Sequence, residues 1–422
     1  MLKKTITSIG VALAVAVTAA SAADAPPPLL TFYPQAGILG RDLFLVNHLD
    51  LDPSPGATLD FACGHHTYDG HTGQDSGIRS FREVKIGVPV FAALDGRVLS
   101  VQFGVGGDLN WGRTVSQFDN HIILEHANGT QTVYGHLARR SIKVQRGQWV
   151  VAGTQIGLTA SSGNSSGPHL HFTIRGDNGP FEPFAGPCRE GTSTWAAQPT
   201  IERAAYVANV SLSARAFSGR LDLPYDEAVR TGTFVRGTRD VHVRIELRHW
   251  AGGRGTLTVT RPDGSVAASV PTAAPSYEYG WTKQRLRLDL AHVGRWTLIY
   301  AVDGAALAEA PFDVVAAPRQ VRNRPPHAIT ASLEPSAPRP GDVVRCLVGG
   351  PLAVRDPDYG LVRYRYRWTS SGRLVRSVTT AAMSDAIPAT APRAGESLTC
   401  EVTPTDGVLR GPTASASATP GS

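Results

Sequence analysis

Two short segments of this chain carry residues able to do metal chemistry: His71-Thr72-Gly73-Gln74-Asp75 and, far downstream, Pro168-His169-Leu170-His171-Phe172. His169 and His171 stand two residues apart. On an extended strand that spacing turns both imidazoles to one face and sends Leu170 and Phe172 to the core. The first segment adds one nitrogen and one oxygen donor. Two His and one carboxylate, with a histidine to spare, leave a tetrahedral position open for water. That arrangement belongs to a catalytic rather than a structural zinc. A donor set of nitrogen and oxygen alone suits zinc at a hydrolytic centre. His65 and His66, just upstream, could also ligate a metal in isolation.

The elements that must position these groups read as short strands. His71 and Asp75 would share one face of a helix, but Gly70, Gly73 and Gly77 argue against a helix and for a loop feeding a strand. Residues 88–93, 96–101, 121–126 and 130–134 read as β. Asn128-Gly129 between the last two is a two-residue hairpin signal, and it places His136 at the far end of the second strand. The turn 161–167, rich in Ser and Gly, delivers the His169–His171 segment. No stretch shows sustained helical periodicity with caps. His121 and His126 fall on opposite faces of one strand and read as structural or supporting residues.

The three segments His71–Asp75, Tyr134-Gly135-His136-Leu137 and Gly167–Phe172, in this order, resemble the zinc endopeptidases of the peptidase M23 family, which cut peptide bridges in bacterial cell walls. The resemblance covers residues 37–190. It implies an antiparallel-sheet catalytic domain with His71, Asp75 and His171 as ligands of one Zn2+ ion. It implies His136 and His169 as the catalytic pair. His169 would hold or deprotonate the attacking water and stabilise the tetrahedral intermediate, with His136 across from it hydrogen-bonding the attacking water or the oxyanion. His65 and His66 then become rim residues, and His126 a turn histidine. The chain keeps all five positions, unlike relatives that only bind. It departs at Thr173, where many relatives have Glu, and in longer segments at 76–87 and 104–112 that would shape the groove walls. Asn47 or Asp50 could supply a fourth, inhibitory ligand.

The chain has 422 residues, 18% of them charged, and a formal net charge of +6. Residues 1–22 read as a signal peptide cut after Ala22, with an apolar run too short to span a bilayer. Export to the periplasm or beyond follows, with no transmembrane helix after cleavage. A Pro-rich leader spans 23–36. Beyond the catalytic domain, alternating patterns predict a β-sandwich accessory domain over 206–317, a basic linker over 318–327 and an immunoglobulin-like module over 328–418, so the fold class is all-β. The order Cys346, Trp368, Cys400 resembles an immunoglobulin-like pair. Cys63 and Cys188 bracket the catalytic motifs and would clasp that domain, unless Cys63 binds the metal. Asp356-Pro357-Asp358 is a turn or a calcium-loop fragment. Net positive charge favours anionic wall polymers, or serves solubility alone. No nucleic-acid motif is present. The expected function is hydrolysis of peptidoglycan cross-links. The same chemistry on proteins, or a non-catalytic surface scaffold, are the rivals. The accessory modules are expected to bind the wall or act as spacers, leaving a catalytic part that folds when cut near Gly191.

Overall fold

The structure, a computed structural model, describes residues 29–421 except 105–106, 112–118, 202–203, 218–229, 250–251 and 274–279. The expected signal peptide and residues 23–28 of the leader lie outside the described residues. Among those described, no helix is long and apolar enough to cross a membrane.

The candidate site motifs sit on or beside one antiparallel sheet. Its strands are β1 (Phe44–Asn47), β2 (Gln74–Gly77), β4 (Gly96–Gln102), β5 (His121–Glu125), β6 (Gln131–Gly135), β7 (Trp149–Val150) and β9 (His169–Gly176), with β10 (Gly179–Pro180) beside β9. The spatial order is β1-β2-β9-β6-β5-β4-β7. Strand alternation buries Ile122, Leu124, Tyr134, Leu170, Phe172 and Ile174 against one core and leaves the histidines on the other face. Strands β3 (Pro89–Phe91) and β8 (Gln155–Leu158) form a separate pair. The disulfide Cys63–Cys188 clasps the domain ends, so Cys63 is not a metal ligand.

Two local features differ from expectation. A short helix, α1 (Phe81–Ile86), lies in the long segment after Asp75 and ends at Gly87, whose φ is 101°. Less than two turns leaves no periodic signature in sequence. The helix is fixed instead by buried Phe81 and by Glu83, which accepts from the Arg79 backbone N–H at 2.8 Å and from Arg79 Nε at 2.6 Å. The end of the leader is also packed: Leu30, Phe32, Tyr33, Gln35 and Ala36 are buried. Gln35 donates to Thr159 at 3.0 Å and accepts from Ser76 beside the site. Packing therefore begins upstream of residue 37.

The middle region packs a three-stranded sheet (Tyr206–Ser213, Asp240–Arg248, Gly280–Arg287) on a five-stranded one that includes Gly255–Thr260 and Gly294–Val302. Val241, Val243 and Ile245 meet Trp296, Leu298 and Tyr300 between them. The third region packs three strands on four, with Cys346 bonded to Cys400 and Trp368 opposite Cys400 in the ladder. Trp368 Nε1 donates to Asp385 at 3.0 Å. Asp356 Oδ1 accepts from the N–H groups of Asp358 and Gly360, so this Asp-Pro-Asp segment is a turn.

The three regions are not beads on a string. Arg324, in the linker, donates to Asp313 of the middle region at 2.6 Å and to Asp358 of the third at 2.9 Å. Val354 and Tyr359 enter the middle core. Val343, Ala381, Ala382 and Ala386 of the third region share a core with Phe32, Phe81, Val84 and Phe91 of the catalytic one. Met383 N–H donates to Asp42 at 2.6 Å, and Thr380 donates to the Gly87 carbonyl at 2.7 Å.

Candidate metal centre and groove

Register brings the two metal-binding segments together. Strand β2 pairs with β9 so that Asp75 faces His171 and Gly77 faces His169, and β6 pairs with the other edge of β9 so that Gly135 faces His171. His71 enters from the loop before β2. His71, Asp75 and His171 offer donor atoms that all lie within 4.8 Å of one another. His71 Nε2 is 3.2 Å from Asp75 Oδ2 and 3.2 Å from His171 Nδ1, and His171 Nδ1 is 2.9 Å from Asp75 Oδ1.

The outer nitrogens fix the tautomers. His71 Nδ1–H donates to the His48 carbonyl at 2.6 Å. His171 Nε2 lies 2.9 Å from Thr173 Oγ1, a hydroxyl able to accept its proton. Thr173 stands where the resemblance leads one to expect Glu, and its hydroxyl lies where it can supply the outer hydrogen bond that a carboxylate could give. With both outer nitrogens protonated in this way, the converging atoms are two nitrogen lone pairs and a carboxylate, three acceptors that need a cation between them. That donor set fits zinc. Gly73 is required by the same close packing, because a Cβ there would lie 2.5 Å from Thr173 Oγ1 and 2.6 Å from the Phe172 carbonyl.

His169 and His136 flank the cluster. Their ring centroids are 4.4 Å apart, and His136 lies 6.0 Å from the His171 ring. Each donates Nδ1–H to a carbonyl, His169 to Gly167 at 2.8 Å and His136 to Ser162 at 2.7 Å. Their Nε2 atoms remain for chemistry, and His169 Nε2 is 3.5 Å from Asp75 Oδ1. His136 has φ 56°, in the left-handed region, at a cost of about 1–2 kcal/mol for a residue with a Cβ. Asp119 Oδ2 accepts the His136 backbone N–H at 2.6 Å and holds that turn.

Charge separates the two imidazoles. Burial, then the charge of nearby His169, drives His136 down to about 4. Burial also lowers His169, but the Asp75 charge and hydrogen bond outweigh it and raise the group. Burial would raise Asp75; the charge of His169 and hydrogen bonds from His169, His171 and His71 hold its carboxyl well below the usual range.

Several supporting residues were not legible. His48 Nδ1–H donates to Gln74 Oε1 at 2.7 Å, and Gln74 Nε2 donates to buried Glu182 at 2.8 Å. This relay fixes the carbonyl that holds His71. Strand alternation gives a hint at Gln74, since it must point inward when Asp75 points to the site. Nothing local marks Glu182, Asp119 or Ser162. Asn47 donates its amide N–H to Asp75 Oδ2 at 2.9 Å, an outer partner of the carboxylate in this geometry. Asp50 accepts from the N–H groups of Leu59 and Gly70 and shapes a loop. His65 is on an exposed turn against Thr58. His126 is locked between the Asp95 carbonyl and Thr132. His121 bonds Asp119 at 2.9 Å.

The centre opens into a groove of about 660 Å³ lined by Asp75, His169, Phe44 and Trp111, and by Arg248 and Trp281 of the middle region. A larger cavity of about 1070 Å³ lies elsewhere and holds none of the five site residues; the groove is the one with chemistry.

Residues 71–183 match the profile of Peptidase family M23. The chain is 35% identical over 120 residues to the DD-carboxypeptidase/endopeptidase Mpg of Neisseria meningitidis, covering 28% of this chain and 23% of that protein. It is 34% identical over 97 residues to the peptidoglycan DD-endopeptidase ShyB of Vibrio cholerae, covering 23% of this chain and 20% of that one. The chain thus spans about a fifth to a quarter of the length of these curated relatives. The solved catalytic domain of the antimicrobial peptidase lysostaphin from Staphylococcus simulans is 23% identical, with 34% of this chain and 89% of that one covered and a TM-score of 0.22. By the profile match and these relatives, the segment 71–183 of this chain is a peptidase family M23 domain.

Proposed function

We propose that the chain is an exported zinc metalloendopeptidase that hydrolyses peptide bonds in peptidoglycan cross-links. The observation that carries this reading is the convergence of His71, Asp75 and His171 on one point with the His136 and His169 rings beside it. The M23 match and the named peptidoglycan endopeptidases among its relatives support the substrate class. Two disulfides suit an oxidising compartment outside the cytosol.

A zinc ion held by His71 Nε2, Asp75 and His171 Nδ1 would supply a Lewis acid and a water acidified to a pKa of about 7. The chain's own residues then divide the proton work. The resemblance assigns the water proton to His169; in this reading His136, neutral near pH 7, accepts it at Nε2 instead. His169, which keeps its proton more readily, donates a hydrogen bond from Nε2–H to the carbonyl oxygen as negative charge develops and retains that proton. The proton taken up by His136 passes to the leaving amine as the C–N bond breaks, which returns His136 to its neutral form. Two like groups pushed apart in pKa divide their roles in this way.

The full mature chain should carry one zinc and release soluble peptides from isolated sacculi, read by mass spectrometry. His71→Ala and Asp75→Ala should lose both metal and activity. His136→Ala and His169→Ala should keep the metal and lose about a hundredfold or more in rate. A zinc-loaded chain that releases nothing from sacculi yet cleaves a Gly-rich protein would move the reading to a secreted protease of the same fold.

A further inference from the structure

The far wall of the groove belongs to a region that carries none of the five site residues. Strand Asp240–Arg248 ends at Arg248, and its ladder partner Gly280–Arg287 begins beside Trp281. Both side chains line the groove with Asp75 and His169. A short run of contacts ties them to the centre. Gly77 pairs with His169 across the β2–β9 ladder and with Phe44 across the β1–β2 ladder. A Cβ on Gly77 would lie 2.4 Å from the Phe44 ring, so the missing side chain is what lets Phe44 lie flat over the strand. The Arg248 guanidinium stacks on that same ring, 4.2 Å from its centroid. On the opposite side Trp281 meets Trp111, with centroids 6.5 Å apart. Trp111 is braced edge-on against buried Phe81 at 6.0 Å. The groove is therefore lined by Asp75, by two tryptophans in contact with each other and by an arginine.

Glu246, which also lines the groove, accepts a 2.7 Å hydrogen bond from Arg244 at Oε1, while its Oε2 stands 4.0 Å from Arg248 Nη2, an ion pair without a hydrogen bond. Arg79, also on the groove, is engaged by Glu83. Arg248 donates Nη1–H to the Leu247 carbonyl at 3.0 Å and pairs only loosely with Glu246, so it keeps donors for an incoming anion. An arginine fork on an aromatic ring, in a partly desolvated groove, is suited to a carboxylate. Trp111 and Trp281 offer flat apolar surface for the chain that carries it.

We propose that Arg248 and Trp281 form a substrate subsite supplied by the middle β-sandwich, which takes a peptide bearing a free carboxylate. The proposal rests on the peptidase reading above, and it deepens that reading by naming a specificity determinant. Arg248 sets the preference for the carboxylate, and Trp281 with Trp111 holds the peptide chain whatever its end group.

Calorimetric titration of the full-length, chelator-treated protein tests this without turnover. The probes are N-acetyl-tetra-alanine with a free C-terminal carboxylate and its carboxamide twin. The wild type should bind the carboxylate about tenfold more tightly, the scale of one charge-assisted hydrogen bond. Arg248→Gln should erase that difference and leave carboxamide binding as it was. Trp281→Ala, at a partly exposed position, should weaken both peptides several-fold while the melting temperature holds. Equal affinities in the wild type, a preference that survives Arg248→Gln, or unchanged binding in Trp281→Ala would each overturn the subsite. Hydrolysis of sacculi by the metal-loaded protein is scored separately, so a chain that cleaves walls but fails this titration loses the subsite and keeps the peptidase.

Discussion

Against the third region the catalytic domain presents Phe32, Phe81, Val84 and Phe91, sealed by Val343, Ala381, Ala382 and Ala386. Against the middle region it presents Phe44, Trp111 and the mouth of the groove, met by Arg248 and Trp281 around open space. The first contact is closed and apolar, with its backbone groups satisfied across the seam by Asp42, Ser384 and Thr380. The second is aromatic and charged, and a substrate can enter it. The same domain therefore uses one neighbour for stability and the other for shape. Apolar contact area without water stabilises the fold. A partly solvated wall of Trp and Arg recognises a ligand.

The harshest way to break this comparison is to cut the chain near Gly191. That would expose Phe32, Phe81 and Phe91, which are each 6% or less accessible. Each buried Phe contributes roughly 1.5–3 kcal/mol, so losing this cover removes a large part of a typical domain's stability. The truncated chain should aggregate or melt far below the full one, measured by scanning calorimetry. A soluble fragment with an unchanged melting temperature would show that the closed seam is not structural and that the domains separate as their sequence pattern suggests.

A single charge should do part of the same damage. Ala382→Asp places a carboxylate in the closed seam, where Ala382 is 2% accessible. An unpaired buried charge there should cost about 2–4 kcal/mol. The melting temperature should fall, while zinc content and peptide affinity at low temperature stay as in the wild type. The mirror experiment, Trp281→Ala in the open seam, should weaken peptide binding and leave melting temperature and zinc content unchanged.

Within the catalytic domain the next effect concerns Thr173. Its hydroxyl lies 2.9 Å from His171 Nε2 and is able to accept its proton. Thr173→Val keeps the shape and removes the acceptor, which frees the His171 tautomer. Zinc affinity should drop by about 10- to 100-fold, the usual cost of losing an outer partner of a metal-binding histidine. Competition with a chelating dye measures it. Unchanged affinity would mean that β9 packing alone orients the ring.

Sequence and structure agree best where chemistry is local. His169 and His171 were legible because a strand period of two turns both rings to one face, and β9 does this. The Asn128-Gly129 turn was legible as the joint between β5 and β6, but Glu125 pairs with Gln131 and the His126 N–H bonds the Thr130 carbonyl, so the loop has three residues, 127–129, rather than the expected two. The Cys63–Cys188 and Cys346–Cys400 pairs were legible on other grounds, the bracketing of the motifs and the immunoglobulin-like order around Trp368. What stayed hidden depends on the assembled chain. Glu182 supports His48 through Gln74 across a long loop, and no spacing predicts it. Helix α1 is too short to show a period. The seams between regions were illegible because alternating strands look the same whether their outer face meets water or a neighbour. Arg248 reads as the end of an ordinary strand until the fold sets it over Phe44.

Asp119 tests how finely this division reaches into the centre. Its two oxygens do different work: Oδ2 accepts the His136 backbone N–H at 2.6 Å, and Oδ1 accepts from His121 Nδ1 at 2.9 Å. The first bond holds His136 in its left-handed turn, so Asp119 acts by positioning. Asp119→Asn retains the shape and only one oxygen acceptor, and it removes the charge. The rate constant kcat should fall about five- to tenfold, with KM and zinc content unchanged. Stability should show the charge more directly. Burial opposes ionisation, but hydrogen bonding from His121, the charge of His136 and the His136 N–H bring the Asp119 pKa from 3.8 down to about 2. A depressed carboxylate lends stability that is complete above its unfolded pKa and is lost as pH falls through the folded value. The wild type should therefore melt above Asp119→Asn at neutral pH, and the gap should close between about pH 4 and pH 2. A gap that stays constant across that window would show that the variant loses a packing contact rather than a charge.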